Sequence, residues 1–384
     1  MQRVSKVRPS QSHVFSIVAT LGLMMVLPVV TIGVAPMIAR ADDGCPSSVS
    51  YLGISAELDG TTYGGYRVGG LSAIAMDRDQ GVYYSLVDRA ARSPARFFTF
   101  TMPVTRAGVG SVAIRGVTVL RDESGTAFTG DTFDGEGLTI HPDGTLIIAS
   151  ETEPAIRQFA TDGRMLSTLP VPEKFKVMPV GHAEGNATFE GVSTGLGGRN
   201  VIAALEQPLQ TDGWTNDGRG RIRLLSLHAS SATSTWNTRE FYYLAESGQS
   251  VVDLFVIGNQ RILILERGYT AETGTKVRLF LTRLQPSRSV DHLESLASPS
   301  AVPLEKQLVL DLSACLGTLQ SRAGATTTIL ENIEGITLGP RLDDGRWTIV
   351  LQTDDNFSSG EATQVMALGI DPVRPFDDSP SDAD

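Results

Sequence analysis

Three glutamates share one setting, each followed by glycine and a short apolar run: Glu136-Gly137, Glu190-Gly191 and Glu334-Gly335. Further acids close the stretches that follow. Glu136 to Glu151 spans 15 residues, Glu190 to Glu206 16, Asp253 to Glu266 13, Glu334 to Asp354 20, and Ser72 to Asp88 16. Carboxylates brought around one channel repel each other and resist desolvation unless a cation or an arginine neutralises them. Hard oxygen donors of this kind favour Ca²⁺. A bound Ca²⁺ can polarise a phosphoryl or acyl oxygen and orient water, with a neighbouring glutamate as general base. Glu136, Glu190 and Glu334 are therefore candidate catalytic residues and metal ligands, and Glu151, Glu206, Glu266 and Asp354 are further candidate ligands. A purely structural reading stands beside this one, in which glutamates next to glycine accept backbone N–H bonds and lock neighbouring units. Arg89, Arg96 and Arg267 have the planar fork that grips a phosphate bidentately, though Asp88-Arg89 and Glu266-Arg267 also read as ion pairs. Asn186 completes the candidate substrate contacts.

A different chemistry is suggested by Gly191-Val192-Ser193-Thr194-Gly195, which matches the G-x-S-x-G pattern of serine hydrolases. That reading needs a strained strand-to-helix elbow with a histidine and an acid nearby. Ser193 instead lies in a strand that turns through a glycine-rich stretch into another strand, so the match is read as a coincidence of hairpin composition. No Walker loop, EF-hand loop, Cys/His zinc spacing or dinucleotide fingerprint is present.

The elements that must hold these residues are strands. Residues 69–89, 134–153, 189–207, 251–268 and 333–356 repeat one layout: a polar residue or Glu-Gly, a short strand, a Gly/Asp/Asn turn, a second apolar strand, then an acid. In an antiparallel hairpin the start of strand one lies beside the end of strand two, so each module sets its two polar positions at the same end. Most modules are followed by two more candidate strands. Four-stranded units in series predict an all-β fold, a β-propeller whose equivalent residues line a common channel. Five modules are counted, with a sixth, degenerate one left open. The last offers three strands, and residues 48–58 are expected to return and complete it.

The ordered motifs Gly69-Gly70-Leu71-Ser72, Asp88-Arg89, Arg96-Phe97-Phe98, Phe133-Asp134-Gly135-Glu136-Gly137, Ser150-Glu151, Asn186 with Phe189-Glu190-Gly191, Glu206-Gln207-Pro208-Leu209, Leu265-Glu266-Arg267, Glu331-Asn332-Ile333-Glu334-Gly335 and Asp354-Asp355-Asn356-Phe357 resemble the phytase-like, "esterase-like activity of phytase" family of exported bacterial propeller proteins. The resemblance runs from about residue 65 to 370. It implies hydrolysis of an ester or phosphoester and, by wider similarity to calcium-dependent propellers, a metal held among channel carboxylates. The function expected is that of an exported, calcium-assisted esterase or phosphoesterase acting on a small anionic ester. The alternative is a non-catalytic propeller that binds a ligand or partner.

Bulk properties agree with export. Arg3, Lys6 and Arg8 precede an apolar run from Val14 to about Val34, and Ala39-Arg40-Ala41 resembles a cleavage site, so residues 1–41 read as a signal peptide, with an uncleaved membrane anchor as the competing reading. The propeller domain is assigned to 42–370 and a disordered acidic tail to 371–384. The 384-residue chain is 41% hydrophobic and carries a net charge of -11. Loss of Arg3, Lys6, Arg8 and Arg40 with the leader takes that to -15, which disfavours nucleic acid and anionic lipid and suits cations. The expected product is a periplasmic or extracellular monomer, free of the membrane after cleavage. Its two cysteines, Cys45 and Cys315, either pair or remain as two thiols; a bridge would tie the N-terminus to the fourth unit.

Overall fold

The computed structural model describes residues 45–88, 93–195, 197–230, 235–258, 260–325 and 331–371. The leader 1–41, Arg89 and the tail beyond Asp371 lie outside the described residues. Five four-stranded antiparallel sheets follow one another. Blade 1 comprises Leu71–Asp77, Val82–Val87, Arg96–Thr101 and Ala113–Val119, and blade 2 Gly135–Ile140, Leu146–Ser150, Ala155–Phe159 and Met165–Leu169. Blade 3 is built from Phe189–Thr194, Asn200–Leu205, Arg221–Ala229 and Trp236–Leu244; blade 4 from Ser250–Val256, Arg261–Thr270, Gly274–Arg283 and Lys306–Asp311. Blade 5 has Ile333–Leu338, Trp347–Thr353 and Val365–Ile370 from the C-terminal region. Each first strand packs beside the first strand of the next blade, and that of blade 5 packs beside that of blade 1, so the ring closes. The fold is a five-bladed β-propeller.

Closure uses the N-terminal segment. Val49–Ser55 adds to the open edge of blade 5, with Val49 opposite Ile370 and Ser55 opposite Val365. The ladder continues one step further, since the Asp371 N–H donates to the Ser48 carbonyl at 2.9 Å. This pairing removes the free edge that a three-stranded final blade would present. Cys45 and Cys315 are joined by a disulfide with Cα atoms 5.5 Å apart, across 270 residues of chain. Tying so long a loop lowers the entropy of the unfolded chain, worth about 2–4 kcal/mol.

Among the described residues there is one α-helix, Leu312–Arg322, in a chain whose periodicity predicts strands throughout. Its N-cap is Asp311, whose side chain accepts from the Ala314 N–H. Leu312, Cys315, Leu316 and Leu319 form its buried stripe, packed in one cluster with Cys45, Val49 and Ile370. The stripe is only eight residues long and lies among Ser, Gly and Thr, so its 3.6-residue period is faint in the sequence.

Every blade carries a β-bulge at the same place in its first strand. The register shifts between Leu71 and Ala73, Gly135 and Gly137, Phe189 and Gly191, Val251 and Asp253, and Ile333 and Gly335. The extra residues are Ser72, Glu136, Glu190, Val252 and Glu334. A bulge leaves its residue outside the ladder and re-aims the side chain, here beside the propeller axis. Close approach requires the glycine after Glu136 and after Glu190, and leaves little room at Gly335: a Cβ on Gly137 would stand 2.6 Å from the Glu190 carbonyl oxygen, one on Gly191 2.8 Å from the Asp253 Cα, and one on Gly335 3.1 Å from the Ile74 N. Glu-Gly recurs because the glutamate is bulged and the glycine lets the next blade pass.

Candidate functional site

In blades 1, 2, 3 and 5 the residue two before the bulge pairs with the one just past the second strand. Backbone bonds match Asp88 with Gly70, Glu151 with Asp134, Glu206 with Thr188 and Asp354 with Asn332. In blade 4 the equivalent pair is Ser250 with Arg267. Asp88, Glu151, Glu206, Arg267 and Asp354 therefore form one ring, and the bulged Ser72, Glu136, Glu190, Val252 and Glu334 form a second beside it.

This register corrects the reading of the fourth module by one residue. Asp253 and Glu266, its expected polar pair 13 apart, are displaced by Val252 and Arg267, 15 apart and in line with the other blades. Glu266 faces the other side of its strand. It is fully buried, accepts from the Tyr243 hydroxyl at 2.5 Å and the Glu246 N–H at 2.9 Å, and pairs with Lys306 at 2.7 Å. Its partners are complete, and it does not line the site proposed to hold metal. Asp253 is equally interior, its carboxylate accepting from the Leu254 and Ile336 N–H groups at 2.7 and 2.8 Å. Both are inter-strand locks.

All five blades contribute to a cavity of about 900 Å³ over the axis. Its described lining includes ten carboxylates, from Asp88, Asp134, Glu136, Glu151, Glu190, Glu206, Glu331, Glu334, Asp354 and Glu361, against one cation, Arg267. The structure thus brings together Glu136, Glu190, Glu334, Glu151, Glu206, Asp354, Arg267 and Asn186. Asp88 and Asp134 join them; neither is among the ligands expected from sequence, although Asp88 ends its module as Glu151 and Glu206 end theirs. Arg96 does not line the cavity. Its guanidinium donates to the Pro94 carbonyl at 3.0 Å and stacks over Tyr66 and Phe98, a buried role that opposes the substrate contact expected of it.

The acids fall into two groups that share a member. Asp134, Glu136 and Glu151 each offer an oxygen within 4.8 Å of the others, and so do Glu151, Glu190 and Glu206. Glu151 is anchored between them by accepting from the Thr188 N–H at 2.5 Å. Across the cavity Arg267 pairs with Glu334 at 2.9 Å and donates to Asn332, while the Asn332 amide donates to Glu334 at 3.0 Å. The loop after blade 5's second strand holds two more of the lining acids, Asp354 and Glu361. Asp354 accepts from the Asn356 N–H at 2.7 Å, and Asp355 accepts from the Gly70 and Phe357 N–H groups at 2.7 and 3.0 Å. Gly70, at φ 60°, has no room for a Cβ, which would meet the Phe357 ring at 2.2 Å and the Asp88 carboxylate at 2.3 Å.

Electrostatics follow from this crowding. Burial, then repulsion from Asp134, Glu334 and Asp355, pushes Asp88 up to about 8. Glu151 is likewise raised to about 8, by burial first and then by Glu206, Asp134 and Glu334. Glu136, Glu190 and Asp354 stand well above the usual carboxylate range, from burial and neighbouring acids. Glu206 and Glu334 are raised mainly by burial, with Arg267 pulling each back. Such a site binds protons unless cations replace them.

Ser193 is remote from this chemistry. It is buried, and its hydroxyl accepts from the Val256 N–H at 3.0 Å, an inter-blade bond that uses the oxygen structurally. His141 lines a second cavity of about 500 Å³ at the opposite ends of the first strands.

Fold and cavity together define a five-bladed propeller with an acid-lined axial pocket. A family model, phytase-like with the description "esterase-like activity of phytase", matches residues 66–357, well over half of the chain. The chain belongs to the phytase-like family. No curated protein matches it. Among solved structures it is similar to a glucose dehydrogenase-like oxidoreductase from Thermus thermophilus (11% identity, 78% of this chain and 83% of that one, TM-score 0.36). It is similar also to the PQQ-bound aldose sugar dehydrogenase of Streptomyces coelicolor (12%, 84% and 84%, 0.33) and to streptogramin B lyase (10%, 79% and 94%, 0.33). Likenesses this distant bear on neither the chemistry nor the site.

Proposed function

We propose that the axial cavity binds divalent cations, Ca²⁺ above others, and that the protein is an exported esterase or phosphoesterase acting on a small anionic ester. The observation that carries this is the charge mismatch: ten carboxylates against one guanidinium in one partly enclosed cavity. Glu136 and Glu190, aimed into it, accept no hydrogen bond from the described residues. A donor set made wholly of carboxylate oxygens, with room for water, suits a flexible six- to eight-coordinate cation. Asp134, Glu136, Glu151, Glu190 and Glu206 would hold it. When bound, Ca²⁺ supplies polarisation of a phosphoryl or acyl oxygen and neutralises charge on the substrate. Arg267, steadied by Glu334 and Asn332, presents its guanidinium to the anionic group. Glu334, on the same side, accepts a proton from water. Export is supported by the leader-like segment 1–41 and by the disulfide, which belongs to an oxidising compartment.

The test is a Ca²⁺ titration of the purified mature protein by calorimetry, with hydrolysis of p-nitrophenyl phosphate and p-nitrophenyl acetate followed in Ca²⁺ and in chelator. Glu136→Gln, Glu190→Gln and Glu334→Gln should each weaken cation binding or turnover. If all three keep both, the carboxylate proposal is wrong. Cation binding without turnover of any ester, fold intact, would instead favour a ligand-binding propeller.

A further inference from the structure

Blade 4 departs from the other four at the mouth of the cavity. In blades 1, 2, 3 and 5 the second strand ends one residue before the ring acid, at Val87, Ser150, Leu205 and Thr353. In blade 4 it runs three residues past Arg267, to Thr270, and its partner returns from Gly274. The extra length forms a hairpin tip over the cavity. Tyr269 lies two residues after Arg267, on the same face of the strand, and pairs across the ladder with Thr275. Both Tyr269 and Thr275 line the cavity, yet Tyr269 is 71% exposed.

The tip is braced. Thr270 Oγ1 accepts from the Thr273 N–H at 3.0 Å, and the Gln249 amide donates to the Lys276 carbonyl at 3.4 Å. An aromatic ring standing in water on such a hairpin, above the cavity's only described cation, has an unused flat face beside an anion-binding group. Rings are the side chains that gain most from stacking against a second planar or apolar surface.

We propose that Tyr269 is a specificity-determining residue, stacking on the organic body of a substrate whose anionic group is taken by Arg267. It selects esters built on a ring, aryl or sugar, over small acyclic ones. This rests on the anion-binding reading of the cavity, and the test keeps the two apart. Binding of phenylphosphonate and of methylphosphonate, neither of which is hydrolysed, is measured by calorimetry on the mature protein in Ca²⁺. Phenylphosphonate should bind the wild type about fivefold more tightly. Tyr269→Ala should bring the two affinities within about twofold of each other, and Tyr269→Phe should restore the preference. A wild type without preference, a preference that survives Tyr269→Ala, or an equal loss for both ligands overturns the role of Tyr269. Failure of the wild type to bind either phosphonate overturns the anion-binding reading itself.

Discussion

Blade 3 and the axial cavity both bury carboxylates beside an arginine, and they balance them in opposite ways. On the outer side of blade 3, Arg223 is fully buried and pairs with Asp212 at 2.7 Å and Glu240 at 2.5 Å. Lys174 reaches Glu240 at 3.1 Å, and the Leu296 N–H donates to Asp212 at 2.7 Å. Two acids thus meet two bases, and the cluster needs nothing from outside the chain. In the cavity Arg267 serves Glu334 and leaves most of the acids facing one another. Burial of charge is common to both regions. What separates a structural cluster from a candidate site is whether the protein supplies the counter-charge itself.

Four experiments probe that contrast. The largest effect is expected from Arg223→Ala, which leaves buried Asp212 without a counter-charge and Glu240 with Lys174 alone, and should cost about 3–5 kcal/mol of unfolding free energy in urea. Cation affinity of the folded fraction should be unchanged. A loss under about 1 kcal/mol would mean the blade 3 cluster is not the self-sufficient lock described.

Second is the pH dependence of the cation-free protein. Native Asp88 and Glu151 hold their protons up to about pH 8, whereas the unfolded chain releases them near pH 4. Their contribution to stability is therefore whole below about pH 4 and lost as pH rises through about 8. In chelator the melting temperature should fall by roughly 5–10 °C across that window, and saturating Ca²⁺ should remove most of the fall. A flat profile in chelator would show that the acids are already neutralised by the chain.

Glu151→Gln comes third and should behave as the reverse of Arg223→Ala. Above about pH 8, where Glu151 is ionised, it deletes one of several repelling charges yet keeps an oxygen for the Thr188 N–H, so cation-free stability there should rise by about 1 kcal/mol. Because Glu151 belongs to both carboxylate groups, Ca²⁺ affinity should fall at least about tenfold. Stability and affinity falling together would place Glu151 with the structural locks. The smallest effect is expected from Arg267→Leu: Ca²⁺ affinity should rise a few-fold as the only described cation of the cavity leaves, while phosphonate affinity drops. Weaker binding of both ligands would mean that Arg267 chiefly holds Glu334 in place.

The spacing in the chain is enough to read the propeller, the five modules, the returning N-terminal strand and the position beside the axial cavity of six of the seven carboxylates singled out. The module repeats because each blade must bury the same two faces and turn the same corner, so glycines and apolar runs recur at fixed intervals. Glu266 is misplaced by spacing alone because a β-bulge shifts register by one residue, and one residue exchanges the two faces of a strand. "LERG" offers an acid and a base side by side, and only the pairing of Val251 with Glu266 and Ser250 with Arg267 shows which of them faces the axis. Arg96 is misread for a related reason, as a buried arginine stacked on rings has the same letters around it as one that awaits a phosphate.

By itself, then, the sequence determined the blade architecture and the acidic character of the axis, since both follow from local periodicity and composition repeated five times. Tertiary structure alone decided which acids lack partners. Neutralisation depends on charges brought together across blades, Arg267 to Glu334, Lys306 to Glu266, Arg223 to Asp212 and Glu240. Those encounters are set by register and ring closure, which no single stretch of chain encodes.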